Sequence, residues 1–170
     1  MGSLLAQQHR LLGANVFRID TVVPDSDVFM RQCYMSKLSA RDRVDIYELN
    51  AEYGFAVDDL LPDSATAWAN TFASDGRFIL LDADGNVELD VKGTKALKKA
   101  HDQSPNRSTT RHFYGSLLIE PVRGGARMRC HFISVDIVAK AVVRSGVCED
   151  NLGKIRRRWR FKRRTLRMDR

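Results

Sequence analysis

The sequence predicts an α+β fold, in which three helices and a hairpin precede an antiparallel meander. Three stretches within residues 39–102 carry helical spacing or helix-start signals. From residue 109 onward, β-forming residues are separated by turn signals. This order favours helices packed on an antiparallel sheet over a parallel α/β sheet.

The first helix is predicted from Ser39 to about Val57. Ser39 is a good N-cap, and Asp42 suits the positive end of the helix. Asp58 and Asp59 lie at the other end, where the helix dipole disfavours negative charge. The presence of carboxylates there therefore needs an explanation other than helix stability. The apolar residues that recur at spacings of 3, 4 and 4 and form one buried face are Ile46, Leu49, Tyr53 and Val57.

A second, short helix is predicted after Pro62, with Asp63 or Ser64 as its cap. Ser-Asp-Gly at residues 74–76 is expected to end it. Its apolar stripe consists of Ala65, Trp68 and Phe72.

A hairpin and a third helix follow. The hairpin is predicted from residues 77–82 and 86–91, around an Asp-Gly turn. Gly93-Thr94 then opens the third helix, which runs to about Asp102.

The remaining chain is predicted to be sheet. Residues 109–122 form one strand, and a turn at residues 123–125 leads to a long strand over residues 126–143. Residues 144–151 are less regular. Residues 157–168 alternate two sets of side chains and form the last strand.

Length and composition predict one domain. A chain of 170 residues is long enough for one core; residues 39–170 are assigned to it. Residues 1–38 show no clean period and are predicted to be an extension that packs on the domain or on a partner subunit. No apolar run suits a membrane span or a signal peptide. Three cysteines without C-x-x-C spacing favour a reducing compartment, and hence the cytoplasm.

The positive charge lies in one segment. Residues 154–170 hold ten Lys or Arg and one acid, giving +9, whereas the rest holds 18 basic and 20 acidic residues, giving −2. Such a segment can bind nucleic acid or acidic lipid, but a solvated strand face is the favoured interpretation.

Several motifs together resemble the SnoaL-like domains of the NTF2-like superfamily, over roughly residues 39–169. The order and spacing of the motifs carry the resemblance, since each alone is weak. The matching positions are Tyr53 to Asp58, Asp63, Trp68, Phe72, Asp75-Gly76, Gly93-Thr94, Thr110 to Phe113, Gly146, Asp150, Trp159 to Phe161 and Arg164.

The resemblance implies a cone-shaped barrel, made by a curved antiparallel sheet with three N-terminal helices around it. The family includes scytalone dehydratase, hexachlorocyclohexane dehydrochlorinase, polyketide cyclases and terpenoid isomerases, besides non-catalytic members. In the two elimination enzymes, an Asp at the end of the first helix and a His on a strand form a base dyad. The matching residues here are Asp58 and His112. Val57 and Ser116 depart from the residues that are common at their positions, and Cys148 lies near a third departure.

The chemistry of these two residues is proton transfer. Imidazole moves protons near neutral pH, and a carboxylate can hold one ring nitrogen so that the other faces a substrate. A dyad of this kind supports dehydration, elimination, isomerisation or cyclisation without a cofactor. The alternative is that His112 is a core histidine satisfied by the backbone, or that Asp59 is the inward acid.

Other residues are expected to line the pocket. Strand alternation would send Tyr114 and Ser116 inward with His112, and both can donate hydrogen bonds to a substrate oxygen. Tyr53 lies on the inner helix face. The remaining candidates are Trp68 and Phe72 as core and pocket wall, and Arg164 as a partner for an anionic group or for a protein carboxylate.

No metal-ligand spacing, G-x-G-x-x-G, P-loop or G-x-S-x-G motif occurs, so neither a metal nor an organic cofactor is predicted. Two functions remain. One is a cofactor-independent lyase or isomerase acting on a small hydrophobic metabolite. The other is a non-catalytic subunit or small-ligand binder, similar to the β subunit of ring-hydroxylating dioxygenases. A homodimer or homotrimer is expected, with Arg111, Phe113 and the last strand near the interface.

Overall fold

In the computed structural model, residues 37–105 and 107–170 are described, and they contain three helices and six strands. The predicted extension, residues 1–38, lies outside the described residues except for its last two positions. None of the helices in the described ranges combines the length and apolarity that crossing a membrane requires. The helices are α1 (Ala40–Asp58), α2 (Ser64–Asn70) and α3 (Thr94–Asp102). The strands are β1 (Phe72–Leu81), β2 (Val87–Lys92), β3 (Thr110–Val122), β4 (Gly125–Asp136), β5 (Ala141–Ile155) and β6 (Arg158–Met168).

The six strands form one curved sheet in the order β2-β1-β6-β5-β4-β3. Four of its five neighbouring pairs are antiparallel, and the pair of β1 with β6 is parallel. The parallel pair joins the helix-bearing half of the chain to the last strand. The predicted α+β class is therefore confirmed.

The start of α1 is fixed to the hairpin that joins β5 and β6. Ser39 and Asp42 form a capping box, in which each side chain bonds the backbone N–H of the other residue. The Asp42 carboxylate also accepts hydrogen bonds from Lys154 Nζ at 2.7 Å and from Trp159 Nε1 at 3.0 Å. The Lys154 ammonium, together with the Ser39 hydroxyl, holds the pKa of Asp42 well below its usual range. One acidic residue thus orients α1 over β5 and β6.

Aromatic rings fill the space between α1 and the sheet. The Tyr53 ring has four aromatic neighbours with centroids 5.3–6.0 Å away. Their mainly tilted and edge-to-face geometry is the one that aromatic pairs prefer. The predicted inner face of α1 is buried at Ile46, Leu49 and Tyr53, whereas Val57 is only partly buried.

The predicted end of the second helix was wrong. α2 stops at Asn70, and Phe72 and residues 74–76 belong to β1. There the pairing with β6 shifts between Phe72 and Arg77. A Cβ at Gly76 would lie 2.9 Å from the backbone oxygens of Ala73 and Phe161. Gly76 therefore allows β6 to approach closely, and does not mark a loop.

The predicted long strand over residues 126–143 was also wrong. The chain turns after Asp136, whose carboxylate accepts the backbone N–H groups of Val138 and Ala139 at 2.8 and 2.9 Å. This side-chain turn outweighs the β-propensity of Ile137 and Val138. Consequently the residues predicted to be less regular, 144–151, lie in β5.

Candidate active site

Asp58 and His112 meet where the end of α1 approaches the start of β3. The Asp58 carboxylate makes two contacts with one residue: its Oδ2 accepts the backbone N–H of His112 at 2.6 Å, and its Oδ1 lies 2.6 Å from the ring Nδ1. The unfavourable position of a carboxylate at a helix C-terminus is thus offset by two hydrogen bonds from the neighbouring strand.

This pairing decides the tautomer of the imidazole. An ionised carboxylate only accepts hydrogen bonds, so Nδ1 must carry a proton, and in the neutral ring Nε2 keeps its lone pair. The His112 side chain is 26% exposed and that of Asp58 is 13% exposed. The ring is therefore held on one side and accessible on the other.

Asp59, the competing acid, has a different contact. Its carboxylate accepts the backbone N–H of Leu61 at 3.0 Å and so stabilises the turn after α1. Its backbone oxygen accepts a hydrogen bond from Arg107. The structure thus brings Asp58, and not Asp59, onto His112.

A small cavity of 140 Å³ lies between the helices and the sheet, beside His112. Its walls are mostly aromatic and aliphatic. The lining residues are Tyr53, Val57, Trp68, Phe78, Leu80, Leu89, Ala100, His101, Ser104, His112, Tyr114, Phe132, Ser134, Arg144, Leu166 and Met168. We call this space the inner cavity.

A wider chamber of 690 Å³ adjoins it. Eight residues line both spaces, and His112 is one of them. The additional walls come from α3, the segment after it and the ends of β2, β4 and β5. The two spaces are therefore adjacent, and His112 lies where they meet.

A third space of 940 Å³ lies between α1 and β3, on the outer side of the pair. Asp58 and His112 line this outer groove as well. Its rim includes Phe55 and Tyr47, which are 81% and 52% exposed. The pair is therefore reached from two sides, of which the inner one is walled by the core.

Tyr53, Tyr114 and Trp68 line the inner cavity. Burial raises the pKa of Tyr53 to about 12 and raises that of Tyr114 well above its usual range. Both hydroxyls therefore stay protonated throughout the physiological range and can donate hydrogen bonds. Phe72 is not among the lining residues; it packs behind Trp68, with ring centroids 5.2 Å apart.

Ser116 does not follow the expected alternation. It has φ 55° at an irregularity in the pairing of β3 with β4, between Gly115 and Leu118. The extra residue there changes which side chains face inward. Ser116 is exposed and lines only the outer groove, whereas Tyr114 lines both the outer groove and the inner cavity.

Arg164 lies in the core, away from all these spaces. It donates two hydrogen bonds to Asp150, each 3.0 Å long, and one of 2.8 Å to Asn50. Its guanidinium lies 4.1 Å from the Tyr53 ring centroid. Of the two expected roles, the structure shows the ion pair with a protein carboxylate.

Sequence reasoning missed four polar residues of the inner cavity's walls: His101, Ser104, Ser134 and Arg144. His101 follows Leu97 by four residues in α3, and both are buried, so that spacing was a usable signal for an inward histidine. Ser134 stands two residues after the buried Phe132 on β4, so strand alternation was a usable signal for it. For Ser104 and Arg144, no local pattern distinguishes them from surface residues.

The chain belongs to the SnoaL-like domain family, whose model matches residues 39–165. A search of curated proteins found no significant match. Among solved structures, an NTF2-like protein with a cystatin-like fold from Novosphingobium aromaticivorans is 22% identical, with a TM-score of 0.65. That match covers 88% of this chain and 91% of the other.

Two further structures from N. aromaticivorans bear names that imply different roles. A putative scytalone dehydratase is 19% identical with a TM-score of 0.57, covering 86% of this chain and 89% of its own. The β subunit of a putative aromatic-ring-hydroxylating dioxygenase is 17% identical with a TM-score of 0.63, covering 75% and 88%. At these identities the similarity establishes the NTF2-like fold alone. The function has to be inferred from the residues of the site.

Proposed function

We propose that this protein is a cofactor-independent lyase or isomerase, in which His112 is the general base and Asp58 orients it. The observation that carries the proposal is the double contact of the Asp58 carboxylate with the backbone and the ring of His112. The contact with Nδ1 fixes the tautomer of the ring, and the bond from the backbone N–H holds the carboxylate in position for that contact. The lone pair on Nε2 then serves as the base.

The proposed reaction starts with transfer of a proton from a substrate carbon to His112 Nε2. The electron pair of the broken C–H bond forms a new carbon–carbon double bond, and the negative charge moves to a neighbouring carbonyl oxygen. Tyr53 and Tyr114 are suited to donate hydrogen bonds to that oxygen, because their hydroxyls remain protonated. The imidazolium returns its proton to another carbon in an isomerisation, or to a departing hydroxide in a dehydration.

The inner side of His112 is the proposed site of this chemistry. A substrate that fills this space would displace water, which strengthens every electrostatic contact with the developing charge. Aromatic and aliphatic side chains dominate them, so a small hydrophobic metabolite is the expected substrate. The wider chamber would hold the part of the substrate that does not fit the inner cavity.

A panel of small keto and hydroxy aromatic compounds in D₂O tests the proposal across this class of substrate. Deuterium incorporation or product formation, followed by NMR, should occur with the wild-type chain. His112→Ala and Asp58→Asn should each lower the rate by about 10²- to 10⁴-fold. Asp59→Asn is the matched control and should retain the rate. Equal rates in all four proteins would remove the dyad from the mechanism.

A non-catalytic subunit or ligand binder is the second candidate, and one observation favours it. The aromatic cluster around Tyr53 fills the deep part of the fold, so that the inner cavity is only 140 Å³. If this candidate is correct, the panel should show binding without turnover. Affinity purification at endogenous levels should then recover a larger subunit in fixed stoichiometry.

We also propose self-association through the outer face of the sheet. Phe113 and Ile133 are paired neighbours on β3 and β4 and are 58% and 39% exposed. Leu118 is 46% exposed on β3. Sedimentation equilibrium should report a dimer or trimer that Phe113→Glu dissociates. A wild-type monomer at high concentration would contradict this proposal.

A further inference from the structure

Two residues that line the inner cavity each have a ring nitrogen without a hydrogen-bond partner in the described part of the chain. Trp68 Nε1 and His101 Nδ1 are both buried, and within the described residues neither has a partner. The two side chains belong to residues that are each 3% exposed. Both residues line the inner cavity, and their rings are neighbours with centroids 5.5 Å apart.

The two nitrogens have opposite hydrogen-bonding character. Trp68 Nε1–H is a donor only. His101 Nε2 lies 3.0 Å from the backbone oxygen of Ala56, which can only accept, so Nε2 carries the proton and Nδ1 is left as an acceptor. Burial lowers the pKa of His101 and keeps the ring neutral. Asp102 Oδ1, 3.8 Å from Nδ1, is a second acceptor and therefore no partner for it.

Neighbouring groups do not satisfy the indole either. The Tyr53 hydroxyl lies near enough to the Trp68 N–H to influence the tyrosine pKa, but the geometry is not that of a hydrogen bond. Buried tryptophans usually find a partner for this N–H, and an unpaired one costs stability. A donor and an acceptor on two neighbouring rings match one group that can both accept and donate, which is a hydroxyl.

The size and walls of the cavity indicate what carries that hydroxyl. A volume of 140 Å³ is close to that of an apolar cavity of about 150 Å³ that binds benzene. Five aromatic side chains line it, and aromatic faces favour a flat ring. The lining aromatic residues are Tyr53, Trp68, Phe78, Tyr114 and Phe132.

We propose that the inner cavity binds a single phenolic ring, whose hydroxyl accepts a hydrogen bond from Trp68 Nε1 and donates one to His101 Nδ1. If the proposed function is correct, the phenolic ring is one end of the substrate and the reacting carbon lies toward His112. That consequence rests on the proposed function. Phenol binding itself requires no turnover.

Phenol and toluene form a matched pair of probes, because they differ by a hydroxyl in place of a methyl group of similar size. In ¹H–¹⁵N spectra of the wild-type chain, phenol should shift the indole N–H signal of Trp68 more than toluene does. The Trp159 indole is an internal reference, since it already donates to Asp42 at 3.0 Å. Equal shifts with both probes, or shifts with neither, would overturn the inference.

Trp68→Phe removes the donor and keeps an aromatic wall. It should weaken phenol binding roughly fivefold, as expected for one lost hydrogen bond, and leave toluene binding unchanged. Phe132→Leu is the control and should affect both probes alike. If Trp68→Phe lowers both affinities equally, the indole is only a wall.

Asp58→Asn separates this inference from the proposed function. Asp58 does not line the inner cavity, so phenol binding should survive this substitution even though turnover is lost. Turnover that survives Asp58→Asn would defeat the dyad while leaving the phenol site intact. Phenol that fails to bind would defeat the site while leaving the dyad intact.

Discussion

Two carboxylate-centred pairs in this domain, Asp150 with Arg164 and Asp58 with His112, have opposite surroundings. Asp150 and Arg164 are both 0% exposed at their side chains, and Asp150 accepts two hydrogen bonds from the guanidinium. Asp58 and His112 are 13% and 26% exposed, and one nitrogen of the imidazole remains unengaged. The first pair is enclosed by the core. In the second pair, His112 borders every cavity described above, and Asp58 borders the outer groove.

The difference shows that the surroundings of a pair determine whether it contributes mainly to stability or is available for proton transfer. A buried ion pair that borders none of these cavities cannot meet a substrate, and breaking it is costly. A pair at a cavity wall contributes less to stability but keeps a lone pair for proton transfer. Substitutions at the two sites should therefore have separable effects on stability and activity.

The largest stability effect is expected for Arg164→Met. It leaves the Asp150 carboxylate buried without its cation, which should lower the free energy of unfolding by about 3–5 kcal/mol. Urea denaturation measures this change. The double variant Arg164→Met/Asp150→Leu should recover most of the loss, because no charge then remains buried. A single variant that unfolds like the wild type would show that the pair is dispensable.

The pH dependence of unfolding tests a third buried group, His101. Its pKa is lowered in the folded state, mainly by burial, with Arg107 adding to the effect and the Ala56 carbonyl and Asp102 opposing it. The unfolded chain therefore binds a proton first as the pH falls below about 6.5, so its contribution to stability is full above that pH and declines below it.

The slope from this one group cannot exceed about 1.4 kcal/mol per pH unit. His101→Gln can still donate to the Ala56 carbonyl, and it should flatten the decline in denaturation midpoints measured between pH 7 and pH 5. An unchanged profile in the variant would assign the decline to other groups.

A smaller effect is expected at the start of α1. Ser39→Ala removes the cap that accepts the backbone N–H of Asp42 and should cost about 1 kcal/mol in the free energy of unfolding. Thermal unfolding at constant pH measures it, with Ser74→Ala as the exposed-serine control. A loss as large as that of Arg164→Met would contradict the distinction between exposed and buried contacts.

The smallest stability effect is expected for Asp58→Asn, at less than about 1 kcal/mol. An asparagine oxygen can still accept one of the two hydrogen bonds from His112, and the site is partly exposed. The same variant should lose most of its turnover. If it is instead as unstable as Arg164→Met, the dyad is a structural pair of the same kind.

Much of the fold could be predicted because local signals agreed with one another. The capping box at Ser39 and Asp42, the spacing along α1 and the Gly93-Thr94 start of α3 are all in the structure. The wrong predictions occurred where one local signal is compatible with two different structures. Ser-Asp-Gly at residues 74–76 suits both a helix end and an irregular strand, and the approach of β6 decided between them.

The candidate site was only partly accessible to the same reasoning. The odd carboxylate at the end of α1 and the family resemblance led to Asp58 and His112, which the structure brings to 2.6 Å of each other. The inward direction of Ser116 was mispredicted, because strand alternation assumes regular pairing and β3 is irregular there. Nothing local distinguished Ser104 or Arg144 as cavity residues.

By itself the sequence determined the class of fold and the ends of most helices and strands, because these depend on spacing and on side-chain chemistry, which are properties of nearby residues. The two residues proposed to carry proton transfer were predicted through the resemblance to the SnoaL-like family. Only the tertiary structure decided that Arg164 pairs with Asp150 and that Trp68 and His101 present an unpaired donor and acceptor. Burial and partnership join residues that are far apart in the chain, so no local pattern can specify them.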